Sequence, residues 1–142
     1  MVHALTEVWR ALAPGAVLLD IRPYLPFGPL ELVERERVRA LGRLEEVQFD
    51  SDGAAADNAV SEVLRRGLFT LDHADSFYYS GYWDSVGELR EYLRDWEDYA
   101  RLPKRLAGEA RKALRAAGPR AWLRLQTYVV VNRLRKRGAA PG

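Results

Sequence analysis

The chain has 142 residues and a mass of 16.2 kDa; 48% of its residues are hydrophobic and 11% aromatic, enough for one globular domain and too apolar for a disordered chain. It has no cysteine, which rules out disulfides, thiolate metal ligands and a cysteine nucleophile. The net charge of +2 hides an uneven spread: residues 1–100 hold 10 Lys+Arg against 19 Asp+Glu, and residues 101–142 hold 12 against 1.

The first predicted element is a helix from Val2 to Ala13, with Leu5, Val8, Trp9 and Leu12 at i, i+3, i+4 and i+7 on one face. Glu7 and Arg10 make an i,i+3 pair on its other side. Pro14-Gly15 stops it, because proline cannot extend a helix and glycine accepts the positive φ of a helix-end turn. Ala16 to Ile21 is too short for a buried helix and rich in branched apolar residues, so it predicts a central strand. Helix, tight break and buried strand are half of a parallel α/β unit. Three prolines and a glycine between Arg22 and Pro29 predict an ordered, irregular loop at the strand's carboxyl end, where ligands sit in open α/β sheets.

Leu30 to Arg35 and Arg37 to Leu44 alternate apolar with charged residues and predict a hairpin turning near Arg35-Glu36; one helix through Glu31 to Leu44 is the alternative. Phe49 to Gly53 predicts a turn. A second helix runs from Ala54 to Arg66 with Val60, Val63 and Leu64 inward and Gly67 closing it. Leu68 to Trp83, rich in Phe, Tyr and Trp, predicts one or two strands broken near His73-Ala74-Asp75. Asp84 or Ser85 caps a third helix to Asp98, with Ser85 and Glu88 spaced as a capping box and Leu89, Tyr92, Leu93 and Trp96 as the apolar stripe. A fourth helix runs from Pro103 to Ala117, with Leu106, Ala110 and Leu114 inward and Gly118-Pro119 after its end. Ala121 to Leu134 carries a β-branched block and predicts a long strand buried on both faces at its middle; Arg135 to Gly142 is expected to fray. No internal repeat or low-complexity linker interrupts residues 1–142, so a single domain is expected.

These residues resemble the carboxy-terminal half of class I S-adenosylmethionine-dependent methyltransferases. Ala4 to Pro23 looks like that family's helix, then R-x-L-x-P-G-G-x-L, then fifth strand: Arg10, Leu12, Pro14, Gly15 and Leu18 keep the pattern, and Ala16 replaces the second glycine. The later strand, helices and long final strand are similar in order to that fold's sixth strand, terminal helices and seventh strand. The resemblance implies an α/β fold, a partial Rossmann-like methyltransferase sheet of about three to five strands with flanking helices. The family's glycine-rich turn and the acidic residue that takes the ribose hydroxyls have no counterpart here, so no cofactor-binding residue is assigned. The expectation is a methyltransferase-like protein without autonomous catalysis. S-adenosylmethionine enters only if a companion chain completes the site. The alternatives are an interaction or small-molecule-binding module on the same half-fold, and a methyltransferase completed by a separate chain.

The resemblance also implies a fifth strand flanked by the fourth and the seventh. Without the fourth, strand 16–21 presents an apolar unpaired edge, and a homodimer that covers it, or a companion chain, is the expected partner.

Asp20, Arg22 and Tyr24 lie where that strand meets its loop. In the substrate-binding reading Arg22 grips an anionic group and Asp20 accepts a proton or hydrogen bond; the plainer one is an ion pair that fixes the loop. Phe77, Tyr78, Tyr79, Tyr82 and Trp83 either line an apolar pocket or pack the sheet, and Tyr82 and Trp83 are the substrate-binding candidates among them. His3 and His73 have no partner spacing for a metal, and His73 beside Asp72, Asp75 and Ser76 does not make a hydrolase triad, so no catalytic residue is assigned. Asp95, Glu97 and Asp98 oppose the dipole at a helix end, with Arg101 or Lys104 expected close enough to offset them. Arg133, Arg135, Lys136 and Arg137, near Trp122 and Tyr128, carry the case for nucleic acid, but no recognition motif accompanies them. The basic part is instead expected to pack against the acidic part of the same or a neighbouring chain. The longest apolar run, Ala16 to Leu19, falls far short of the ~20 residues of a membrane span, and the amino terminus lacks a secretion signal, so a cytoplasmic protein is expected.

Overall fold

The computed structural model describes residues 1–47 and 51–138. Among them the order is α1 (Val2–Ala11), β1 (Val17–Tyr24), β2 (Leu30–Glu34), β3 (Arg37–Gly42), β4 (Glu45–Glu46), α2 (Ser51–Arg65), β5 (Phe69–Trp83), α3 (Val86–Arg94), β6 (Ala100–Arg101), α4 (Lys104–Ala117) and β7 (Ala121–Lys136). The class is mixed α/β, and the five-stranded sheet is mostly antiparallel: β7 pairs with β1, β2 and β5, and β2 pairs with β3. No helix among the described residues is long and apolar enough to cross a membrane.

The chain forms two compact units. Among the described residues, the first comprises 1–23, 51–77 and 129–138, the second 24–47 and 78–128.

In the first unit α1 and α2 pack on each other, and Val60, Val63, Phe69 and Leu134 form the buried core. Leu5, Trp9, Leu12 and Leu18 close around it, as the helical spacing of α1 requires. The α1 stripe is half-buried, with no residue fully enclosed. The helix stops at Ala11, and Gly15 takes φ +76° in the break that follows.

In the second unit β2 and β3 form the expected hairpin, with Val33 opposite Val38 and Glu34 opposite Arg37, and Arg35 takes φ +54° in the turn. β2 lies against the start of β7, Leu32 opposite Leu123. Leu30, Leu32, Leu123 and Leu125 of the strands are buried in one cluster with Leu89 of α3 and Leu106 of α4. Ser85 Oγ accepts from the Glu88 N–H at 3.2 Å, and the Glu88 carboxylate accepts from the Asp84 N–H at 3.1 Å, so the cap reaches one residue further back than the spacing implied. β4 and β6 make a two-stranded ribbon, Glu45 opposite Arg101, which is too short to leave a periodic signal in sequence.

Several boundaries move for tertiary reasons. β1 continues through Arg22, Pro23 and Tyr24 instead of turning into loop after Ile21, since pairing along β7 holds those residues extended. Phe49 and Asp50 of the expected turn lie outside the described residues, and Ser51 to Gly53 are already the first turn of α2. β5 is unbroken across His73-Ala74-Asp75, because ladder pairing with β7 overrides the low strand propensity of Ala and Asp. α3 ends at Arg94, short of Asp98. Arg135 and Lys136 belong to β7 and are not frayed, held by backbone bonds between Lys136 and both Gly15 and Ala16. Residues 139–142 of the expected frayed tail lie outside the described residues. The middle of β7 is buried on one face only: Leu125, Thr127 and Val129 are buried, while Tyr128 is 37% exposed.

Gly81 has a packing role. Its missing side chain lets the Trp83 indole fold back over the strand, where a Cβ would collide with the ring. Trp83 there packs on the core beside Tyr92, ring centroids 4.9 Å apart. Gly81→Ala is expected to cost about 1–3 kcal/mol in urea unfolding, the usual penalty for overpacking.

Candidate functional site

Asp20 and Arg22 are two residues apart on β1, so their side chains leave the same face of the strand. Arg22 Nε donates to Asp20 Oδ1 at 2.8 Å, Nη2 donates to Asp57 Oδ1 at 2.9 Å, and Nη1 donates to the Gly53 carbonyl at 3.3 Å. Asn132 Nδ2 donates to the second Asp20 oxygen at 2.9 Å. The Asp20 and Arg22 side chains are only 14% and 17% exposed. Burial works against the Arg22 charge, but the hydrogen bonds to Asp20 and Asp57 outweigh it and move its pKa up from the ordinary value.

This arrangement is a clamp. One guanidinium ties the first turns of α2 to β1, and Asp20 ties β1 to β7. The ion pair of the plainer reading is present, with its further partners on α2 and β7 in place of the loop. The Gly53 carbonyl, Asp57 and Asn132 were not legible as members, because no local spacing links residues 31, 35 and 112 positions apart.

The other three candidates belong to the second unit. Tyr24 stands edge-to-face with Tyr128 at 6.4 Å, and Tyr128 in turn meets Tyr78 at 5.3 Å. Tyr82 is 52% exposed beside Arg124, whose pKa is raised by its hydrogen bond to Glu31 against the effect of burial, with Tyr82 adding to the rise. Trp83 is a packing residue, in contact with Tyr92, whose pKa is raised by burial first. Of the aromatic run, Phe77, Tyr78, Tyr79 and Tyr82 are all at least half exposed. Trp83 therefore goes to the core, and the others lie on open strand surface.

Near the start of α3 a cleft of about 340 Å³ is lined by Ser85, Arg111 and Arg115, but the helix terminus is already capped from within. His3 lies 4.0 Å from Glu7 and His73 3.8 Å from Asp75, all exposed. Among the described residues no group of three or more His, Asp or Glu is placed to hold a metal. Arg101 and Lys104 form no ion pair with Asp95, Glu97 or Asp98 among the described residues.

Much of the basic carboxy-terminal strand finds its partners inside the chain. Arg135 pairs with Asp72 at 2.6 Å with Arg133 nearby at 3.9 Å, and Arg124 pairs with Glu31 at 2.7 Å. Lys136 donates to the Leu12 carbonyl at 2.6 Å and lies 4.6 Å over the Trp9 ring. Packing of basic on acidic residues of the same chain accounts for the three arginines, whereas Lys136 has a neutral carbonyl and a ring as its partners. Trp122 and Tyr128 are 38% and 37% exposed.

The remaining feature is the edge of β1. β7 is its one strand neighbour among the described residues, and Val17, Leu19 and Ile21 are 37%, 57% and 57% exposed. A row of free backbone groups beside a row of exposed branched side chains can pair with another strand. Comparison with protein-family models, with curated proteins and with solved structures found no match.

Proposed function

We propose that this chain works by association: a methyltransferase-like half-fold whose open β1 edge pairs with a second copy of itself. The carrying observation is that edge, apolar at Leu19 and Ile21 and bounded on one side only. An edge of this kind invites aggregation unless something covers it, and a twofold dimer, the commonest closed oligomer, covers it with a second copy of the same strand.

The methyltransferase-like part draws support from topology. α1, the Pro14-Gly15 break and β1 follow one another as in the resembling stretch, and β1 lies beside the last strand, β7, as the resemblance implies for the fifth and seventh strands. In this reading Arg22 and Asp20 hold the scaffold together and do not touch a substrate. A companion chain that brings a cofactor-binding half to the same edge is the second reading, and it alone predicts methyl transfer.

Light scattering on the 142-residue chain is expected to return twice the mass of 16.2 kDa. A monomer across the accessible concentration range would overturn the association. S-adenosylmethionine and S-adenosylhomocysteine are expected to leave the melting temperature of the isolated chain unchanged, because only a ligand that binds the native state raises it. A saturable rise would move the reading to an autonomous cofactor site.

A further inference from the structure

We propose that two copies join as antiparallel strands about a twofold axis at Leu19, so that Leu19 faces Leu19 of the second copy and Val17 faces its Ile21. This rests on the association proposed above and adds the register. The Lys136 N–H donates to the Ala16 carbonyl at 2.8 Å, so Ala16 turns its carbonyl toward β7. Asp20 is joined to Asn132, four positions along each strand, which keeps the same antiparallel register. Backbone direction alternates along a strand, so residues 18, 20 and 22 also face β7, and Val17, Leu19 and Ile21 send both N–H and C=O to the open edge.

A symmetric antiparallel pair exchanges bonds only where an outward residue meets an outward residue. About Leu19, Val17 meets Ile21, Leu19 meets itself and Ile21 meets Val17, so every outward donor and acceptor of the three is used. About Asp20, Val17 meets Pro23, which has no N–H to give. That register also places Asp20 directly opposite Asp20 at about 4.5 Å between Cα atoms, a like-charge pair that destabilises a ladder. About Leu18, Ile21 meets Gly15, whose N–H is already given to the Lys136 carbonyl at 3.2 Å. Of these three axes, the one at Leu19 alone satisfies the donors and keeps the carboxylates apart. Asp20 then stands opposite Leu18 and stays with Arg22 and Asn132. The side chains of Val17, Leu19 and Ile21, all on one face, become a continuous apolar ladder across both copies.

The absence of cysteine makes the register directly readable. Leu19→Cys, exposed and next to the axis, is expected to form a disulfide dimer on mild oxidation, since facing residues lie within the ~4.4–6.8 Å Cα span of a disulfide. Ile21→Cys lies four residues out of register with its own copy, about 13 Å away, and is expected to cross-link about tenfold more slowly or not at all. The double variant Val17→Cys/Ile21→Cys restores fast cross-linking. A dimer in which Asp20→Cys or Ile21→Cys cross-links faster than Leu19→Cys overturns the register and leaves the association standing. A monomer by light scattering overturns both.

Discussion

Phe69→Ala is expected to cost the fold about 3–5 kcal/mol, the usual range for removing a fully buried phenylalanine. Phe69 is 1% exposed and is the largest side chain in the small core of the first unit, which it shares with Val60, Val63 and Leu134. That core has few buried members, so neighbours have little material with which to fill the void. For a chain of this size the loss corresponds to a fall of roughly 10–20 °C in melting temperature. A scanning calorimetry shift of only a degree or two would mean that α1 and α2 do not pack over Phe69 as described.

Arg22→Ala has the second largest expected effect, about 2–3 kcal/mol in urea unfolding, below the full cost of breaking a buried ion pair because Asp57 is half exposed. The variant leaves Asp20, 14% exposed in the parent, without its cation and with the Asn132 amide still donating to it, and removes the guanidinium that ties the first turns of α2 to β1. Arg22→Lys is expected to recover only part of the loss, since a single ammonium cannot reach Asp20, Asp57 and the Gly53 carbonyl in the fork that the guanidinium makes. A variant as stable as the parent would show that the clamp contributes nothing and would return Arg22 to the ligand-binding candidates. Substrate gripping and scaffold holding thus make opposite forecasts for one measurement.

The candidate site was legible in part. Asp20 and Arg22 stand out because charges two apart in an apolar strand must share a face and find partners there. Their partners did not stand out: Asp57 sits in an ordinary polar helix face, and Asn132 in a β-branched block that reads as core. Trp83 stayed open between pocket wall and packing residue because the sequence cannot show which of two adjacent aromatics turns inward. Gly81 is the local sign of the answer, since a glycine two residues before an aromatic on one strand face leaves room for the ring to fold back.

By itself the sequence determined the elements whose causes are local: the stripe and Pro14-Gly15 break of α1, the β2–β3 turn at Arg35-Glu36, the Ser85 cap, and the stop at Gly118, which takes φ +83°. Each follows from the conformational limits or hydrogen bonding of residues within one or two turns of each other. Tertiary structure alone decided how far β1 and β5 extend, which face of β7 is buried, that β7 gathers β1, β2 and β5, and which acids neutralise its arginines. Those outcomes depend on ladder bonds and ion pairs between segments far apart in the chain, and a periodic pattern records that a face is buried without recording what lies against it.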